Sequence, residues 1–88
     1  MSESATLKAC LHFLQMRGIE CWRANVGAVK IPGSERYVRF GKKGMSDIQG
    51  YLDDGRALYV ECKSATGKLR PEQVAFLERA ERCGCKVV

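Results

Sequence analysis

The sequence predicts an α/β domain, a small mixed β-sheet flanked by helices, and three observations lead to that class. Leu7, Cys10, Leu11 and Leu14 recur at helical spacing near the start, and Val74, Leu77 and Ala80 do so near the end. Between them lie short β-rich runs punctuated by glycine, proline and aspartate. The resulting order of helix, strand, hairpin strands, helix and strand suits a mixed sheet with helices packed on it. A chain of 88 residues makes one domain, 1–88. A domain of this size buries only about 60–65% of its unfolded surface, so its core is thin and a partner subunit would add stability.

The first helix takes Ser2 or Ser4 as its N-cap and ends at Gly18, a residue suited to a C-terminal cap. A strand is expected from Ile19 to Ala24, with Cys21 and Trp22 at buried or half-buried positions. Ala28 to Ile31 and Arg36 to Phe40 then form a hairpin around Pro32-Gly33-Ser34. Ser46 to Leu52 and Arg56 to Ser64 form two antiparallel strands joined by Asp53-Asp54-Gly55. In a three-residue loop of this kind the last position is left-handed, which Gly55 adopts without a Cβ clash. Leu52 then faces Arg56, and Asp47 falls directly opposite Glu61. A two-residue Asp54-Gly55 turn would instead put Asp47 on the other face. Pro71 opens the second helix with Glu72 near its positive end. Phe76 and Cys83 extend its apolar side, Gly84 ends it, and Cys85 to Val88 begins a last strand.

Composition narrows the class of function. The longest apolar stretches are broken by charge within a few residues, which predicts no membrane span or signal peptide and a soluble, intracellular protein. The five cysteines, Cys10, Cys21, Cys62, Cys83 and Cys85, are odd in number and have only His12 as an imidazole companion. That argues against zinc and against a disulfide framework, and for buried free thiols in a reducing compartment. The net charge is +5, and six cations against the single acid Glu35 between Arg23 and Lys43 account for all of it. Such a run is ordinarily a solvated face. Here Tyr37 and Phe40 interleave with the cations, a pattern that suits a phosphate backbone or a stacked base.

The residues that carry chemistry are Asp47, Glu61 and Lys63. In the three-residue-loop register, Asp47 and Glu61 share a face of the sheet with Cα atoms about 4.5–5.5 Å apart. Lys63 points the same way about 7 Å further along. Two converging carboxylates are hard oxygen ligands able to hold Mg²⁺ or Mn²⁺. The backbone carbonyl of Cys62 can add a ligand, while its side chain points to the core. Lys63 has two open roles: handling the attacking water, or offsetting charge on the phosphate. Glu-x-Lys on a strand is common, and an exposed cross-strand charge set would explain it alone. Two features of context argue for more. Gly44 and Gly50 flank Asp47, and Leu58, Tyr59 and Val60 make the next strand apolar enough to be central, where unpaired charge is costly.

Gly44-Met45-Ser46-Asp47-Ile48-Gln49-Gly50, then Glu61-Cys62-Lys63, then Gly67-Lys68-Leu69-Arg70-Pro71-Glu72-Gln73 closely resembles the virus-type replication-repair nuclease (VRR-Nuc) domain, a branch of the PD-(D/E)xK nucleases. The resemblance begins at Glu3, includes the Asn25/Gly27 and Arg36 to Gly41 segments, and is strongest from Gly41 to Gln73. Each motif is weak alone, and their order and spacing make the signal specific. The resemblance implies a restriction-endonuclease-like αβββαβ core and a Mg²⁺- or Mn²⁺-dependent endodeoxyribonuclease. Asp47 and Glu61 would bind metal, and Lys63 would complete the catalytic set. Glu3 would reach the site from the first helix, or else serve that helix's dipole. Gln73 would sit beside the site, or else cap the second helix from its N3 position. Stand-alone members resemble Holliday-junction resolvases, implying branched DNA as substrate and a homodimer as the working unit; phage-encoded and cellular origins are both compatible. Members often continue past the last strand, which leaves the dimer surface open.

The rival reading is a non-catalytic nucleic-acid-binding module that uses the basic segment 23–43. In either case the candidate DNA contacts are Arg36, Arg39, Lys42 and Lys43, with Lys68 and Arg70 in the loop after Lys63. Trp22 reads as a core or interface anchor rather than a base-stacking platform, given Ile19 and Cys21 nearby, and His12 as a solvated residue.

Overall fold

The computed structural model describes residues 2–24, 27–63 and 66–88. Asn25, within one of the resembling segments, and Ser64, at the expected end of a strand, lie outside the described residues. The elements run α1 (Glu3–Met16), β1 (Glu20–Arg23), β2 (Gly27–Lys30), β3 (Tyr37–Phe40), β4 (Ile48–Tyr51), β5 (Ala57–Val60), α2 (Pro71–Arg82) and β6 (Lys86–Val87). β2 and β3 pair only with each other; the other elements follow the αβββαβ order.

Both helices begin and end for reasons written in their caps. Ser2 caps α1, its Oγ accepting the Ala5 N–H at 3.1 Å. α1 then closes on Gly18 at φ 78, with Ile19 N–H on the Leu14 carbonyl at 3.1 Å and Gly18 N–H on that of Gln15 at 3.0 Å. These are the paired bonds of a Schellman motif. α2 repeats the device: Gly84 has φ 93, and Cys85 N–H donates to the Ala80 carbonyl at 3.0 Å.

The main sheet is ordered β1-β4-β5-β6, with β1, β4 and β5 antiparallel and β6 parallel to β5. Its central register is the one Gly55 predicts. Ile48 pairs with Val60 and Gly50 with Leu58. Leu52 N–H donates to the Arg56 carbonyl at 2.9 Å, and Gly55 closes the loop at φ 91. Alternation sends Ile48, Leu58, Val60, Cys62 and Cys21 to one face, where they form the buried core with Leu7 of α1. Cys10, Leu11 and Leu14 pack against it. α2 crosses the other face between β5 and β6, its Phe76 ring standing edge-on to Tyr59 at 5.0 Å.

Several expectations about local extent and burial are corrected. The strands expected over 46–52 and 56–64 are only four residues each, because regular pairing stops at Ile48 and Val60. Trp22 is not a core residue: Cys21 takes the core position opposite Gly50, which turns Trp22 to the other face, 43% exposed. Val74 is exposed, whereas Phe76, Leu77 and Ala80 are half-buried. All five cysteines are free, but only Cys21 and Cys62 are buried, and Cys83 lies in solvent at the end of α2.

Gly50 permits the close β1–β4 approach. A Cβ there would collide with the backbone carbonyl of Glu20 and stand 2.7 Å from the Cys21 Cβ. Because the obstacle is backbone, Gly50→Ala is expected to cost about 1–3 kcal/mol. Thermal unfolding should move down by roughly 5–20 °C, and an unchanged midpoint would contradict the close approach.

Candidate active site

Asp47 immediately precedes β4 and is pinned from both sides. Its carbonyl accepts the Ala24 N–H at 2.8 Å, extending the β1–β4 pairing by one step. The residue after it, Ile48, has no exposed surface. The residue before it, Ser46, is 1% exposed and donates its hydroxyl to the Ile48 carbonyl at 2.9 Å. The Asp47 carboxylate oxygen Oδ2 accepts the Cys62 N–H at 2.8 Å. In an antiparallel ladder with this register, that N–H would be satisfied by the Ser46 carbonyl. The carboxylate therefore takes the place of a ladder bond, which is why the regular strands end here and how β4 is tied to Glu61-Cys62-Lys63.

Glu61 lies on the extension of the central strand, its N–H donating to the Val88 carbonyl at 3.1 Å. Its side chain is only 4% exposed. Oε1 accepts the Gln73 Nε2–H at 2.9 Å and stands 3.6 Å from the Lys63 ammonium. Oε2 is buried with no hydrogen-bond partner. Burial first, and then the negative charge of Asp47, push the Glu61 carboxyl above its ordinary range; Lys63 offsets this only in part. A buried carboxylate oxygen without a donor is costly unless something else supplies positive charge.

The two other residues with open roles are brought to the same place. Gln73, 8% exposed at the third position of α2, serves both its readings at once. Its Oε1 accepts the Arg70 N–H at 2.8 Å, capping the helix, while its Nε2 holds Glu61. Glu3 reaches over from the start of α1, with Oε1 at 3.6 Å from the Lys63 ammonium, so Lys63 stands between two carboxylates.

Beside these residues opens a cleft of about 430 Å³. Asp47, Glu72 and Gln73 lie in its wall with Arg39, Phe40, Lys43 and Arg70, so the cationic hairpin and the loop before α2 converge on the Asp47 carboxylate. Gly44, at φ 84, lets the intervening loop press against α2, since a Cβ there would collide with the Glu72 carbonyl. Arg36, Lys42 and Lys68 are exposed and do not line this cleft. Sequence reasoning missed two contributors, Ser46 as a buried anchor and Glu72 as a cleft residue. Both stand inside the resembling motifs, but their roles were not legible there: Ser46 is buried only by the assembled fold, and Glu72 meets the cleft only where the Gly44 loop presses on α2.

Among the described residues no group of three or more His, Cys, Asp or Glu side chains gathers as a metal cage. The side-chain donors here are the Asp47 and Glu61 carboxylates, and the Cys62 backbone carbonyl is the third donor the sequence offers. That set suits a hard cation that keeps several waters, and the unpartnered Glu61 Oε2 is the atom such an ion would satisfy. The Cys62 thiol is set apart from this chemistry. It is buried in the core, and burial, followed by the neighbouring Cys10, pushes it up to about 12.

A search of curated proteins found no match to this chain. Comparison with protein families did find one: the VRR-NUC domain matches across residues 1–88, the whole length over which the carboxylates, the lysine and the basic cleft are assembled, and the chain belongs to that family.

Proposed function

We propose that this domain is a Mg²⁺- or Mn²⁺-dependent, structure-selective DNA endonuclease that hydrolyses phosphodiester bonds, acting as a homodimer on branched DNA such as Holliday junctions. Family membership carries nuclease activity and a DNA substrate in general terms. Among the described residues no helix is long and apolar enough to cross a membrane. The observation that carries the finer reading is the unpartnered, buried Glu61 Oε2 beside Asp47, next to a cleft walled by cations.

In this reading Asp47, Glu61 and the Cys62 carbonyl would hold the divalent ion, which when bound would supply Lewis-acid chemistry, acidifying water and offsetting charge on the scissile phosphate. Arg39, Lys43 and Arg70 hold the flanking phosphates and orient the strand in the cleft. Gln73 fixes the rotamer of Glu61 and is a positioning residue. Lys63, tethered between Glu3 and Glu61, brings positive charge to the phosphate as negative charge builds on it. A symmetric dimer would present two such sites to opposing strands of a branched substrate.

The test is cleavage of end-labelled four-way junctions, with linear duplex as comparison and Mg²⁺, Mn²⁺ or chelator in the buffer. Metal-dependent nicking of the junction is expected, with Asp47→Ala and Lys63→Ala each slowing it by about 10²-fold or more. Light scattering reads the dimer in the same samples. Wild-type protein that binds the junction and never nicks it under any divalent metal would reduce the domain to a binding module.

A further inference from the structure

The Asp47 face of the sheet also carries an aromatic pair left open to solvent. Trp22 on β1 and Tyr51 on β4 are 43% and 55% exposed. Their rings meet edge to face, with centroids 6.2 Å apart and planes at 66°. Trp22 faces Gln49 across the ladder, so Tyr51 is its diagonal neighbour. The pair shares its face with Asp47, since Asp47, Gln49 and Tyr51 alternate along one strand and Ala24 and Trp22 along the next. α2 lies toward the β5–β6 side, where Phe76 covers Tyr59, and leaves these two rings uncovered.

Cross-strand pairing accounts for the contact between the rings, but their open surface also lies on a path that leads from the cleft. From Asp47 to Trp22 is two residues along and one strand across, about 8 Å at ordinary strand spacings. That is roughly two to three base steps of a stacked strand. Charge is distributed unevenly along this path. Arg39, Lys43 and Arg70 stand at the Asp47 end, in the cleft, where they outnumber the Asp47 and Glu72 carboxylates. At the far end Glu20 faces Tyr51. A phosphate is favoured at the first end and repelled at the second, whereas an uncharged base is not repelled at either. We infer that Trp22, supported by Tyr51, is a stacking platform for an unpaired nucleobase of single-stranded DNA, about two to three nucleotides along from the phosphate held by Arg39, Lys43 and Arg70. The inference rests on the nuclease reading and deepens it: a stacking platform accepts a base only where the duplex is open, as it is beside a branch point.

Trp22 is the only tryptophan in the chain, so its emission reports on this position alone. The experiment titrates metal-free protein, in chelator at low salt, with a short oligothymidylate and with an abasic backbone of the same length, following both Trp22 emission and anisotropy of the labelled DNA. Oligothymidylate should quench Trp22, and the abasic backbone should bind without quenching. Trp22→Ala should weaken oligothymidylate binding about ten-fold while leaving the abasic affinity and the salt dependence unchanged, and Trp22→Tyr should recover most of the loss. The wild-type emission arm stands whether or not the alanine variant folds well. The platform alone is overturned if four-way junctions are nicked but Trp22 emission is unchanged on oligothymidylate binding, or if both oligomers quench it equally. If neither oligomer binds and no junction is nicked, the nuclease reading falls together with the platform.

Discussion

Glu61→Gln is expected to slow DNA cleavage by about 10²- to 10⁴-fold, the loss of a metal-assisted step worth several kcal/mol, while making the metal-free protein more stable at neutral pH. Both effects come from the same environment. The side chain is almost fully buried, one oxygen is held by Gln73 and approached by Lys63, and the other has no partner. Burial and the Asp47 charge outweigh Lys63, so the fold favours the neutral carboxyl. A folded-state pKa above the unfolded one means that the native protein holds this proton more tightly. Stability then falls as pH rises from the ordinary glutamate range through the raised value, and stays reduced above it. Glutamine keeps the shape and the oxygen that Gln73 needs and carries no charge to desolvate. Wild type and variant should therefore converge in stability below the ordinary glutamate range and separate above it. Mg²⁺ or Mn²⁺ should raise the melting temperature of the wild type and leave the variant unmoved, because an ion that binds only the native state stabilises it by mass action. Thermal scans across pH, with and without metal, measure this directly. A metal-free variant that melts below wild type at neutral pH, or one that cleaves at the wild-type rate, would sink the assignment of Glu61.

Ile48→Ala is expected to cost about 2–5 kcal/mol of folding stability. Ile48 has no exposed surface and packs among Leu7, Cys21, Leu58, Val60 and Cys62, the whole buried core of the described residues. So thin a core has little to collapse into the cavity left behind. Domains are stable by only about 5–15 kcal/mol in total, and small ones have the least to spare. The variant should therefore show a large drop in its urea midpoint or be unfolded at 37 °C, whereas Ile48→Val should lose only about 0.5–1.5 kcal/mol. Ile48 also holds Asp47 in place, so folded Ile48→Val should cleave more slowly than its stability alone would predict. An alanine variant with a near-normal midpoint would mean that the core lies elsewhere.

Much of the fold was legible in the residues because the deciding forces are local. Gly18, Gly55 and Gly84 sit where a positive φ is needed, and Ser2 and Pro71 sit where helix starts need an acceptor or can spare an N–H. The three-residue Asp53-Asp54-Gly55 loop decided the β4–β5 register, and with it the opposition of Asp47 to Glu61. Burial was less legible. Trp22 looked like a core residue from its type, but which face of β1 is the core depends on Cys21 meeting Gly50 across the ladder. Cys83 looked like part of an apolar stripe, yet at the end of α2 it is exposed.

The sequence by itself determined the elements, their order, the hairpin register, the concentration of charge between Arg23 and Lys43 and the family motifs, because turn chemistry, caps and spacing act over a few residues. Only the tertiary structure decided that the Asp47 carboxylate replaces a ladder bond to Cys62, that Gln73 both caps α2 and holds Glu61, that Glu3 reaches Lys63, and that Arg39, Lys43 and Arg70 rather than all six candidate cations line the cleft. Each of these contacts joins residues from separate elements. Their geometry depends on how the helices and the hairpin settle against the sheet, and no local spacing encodes that.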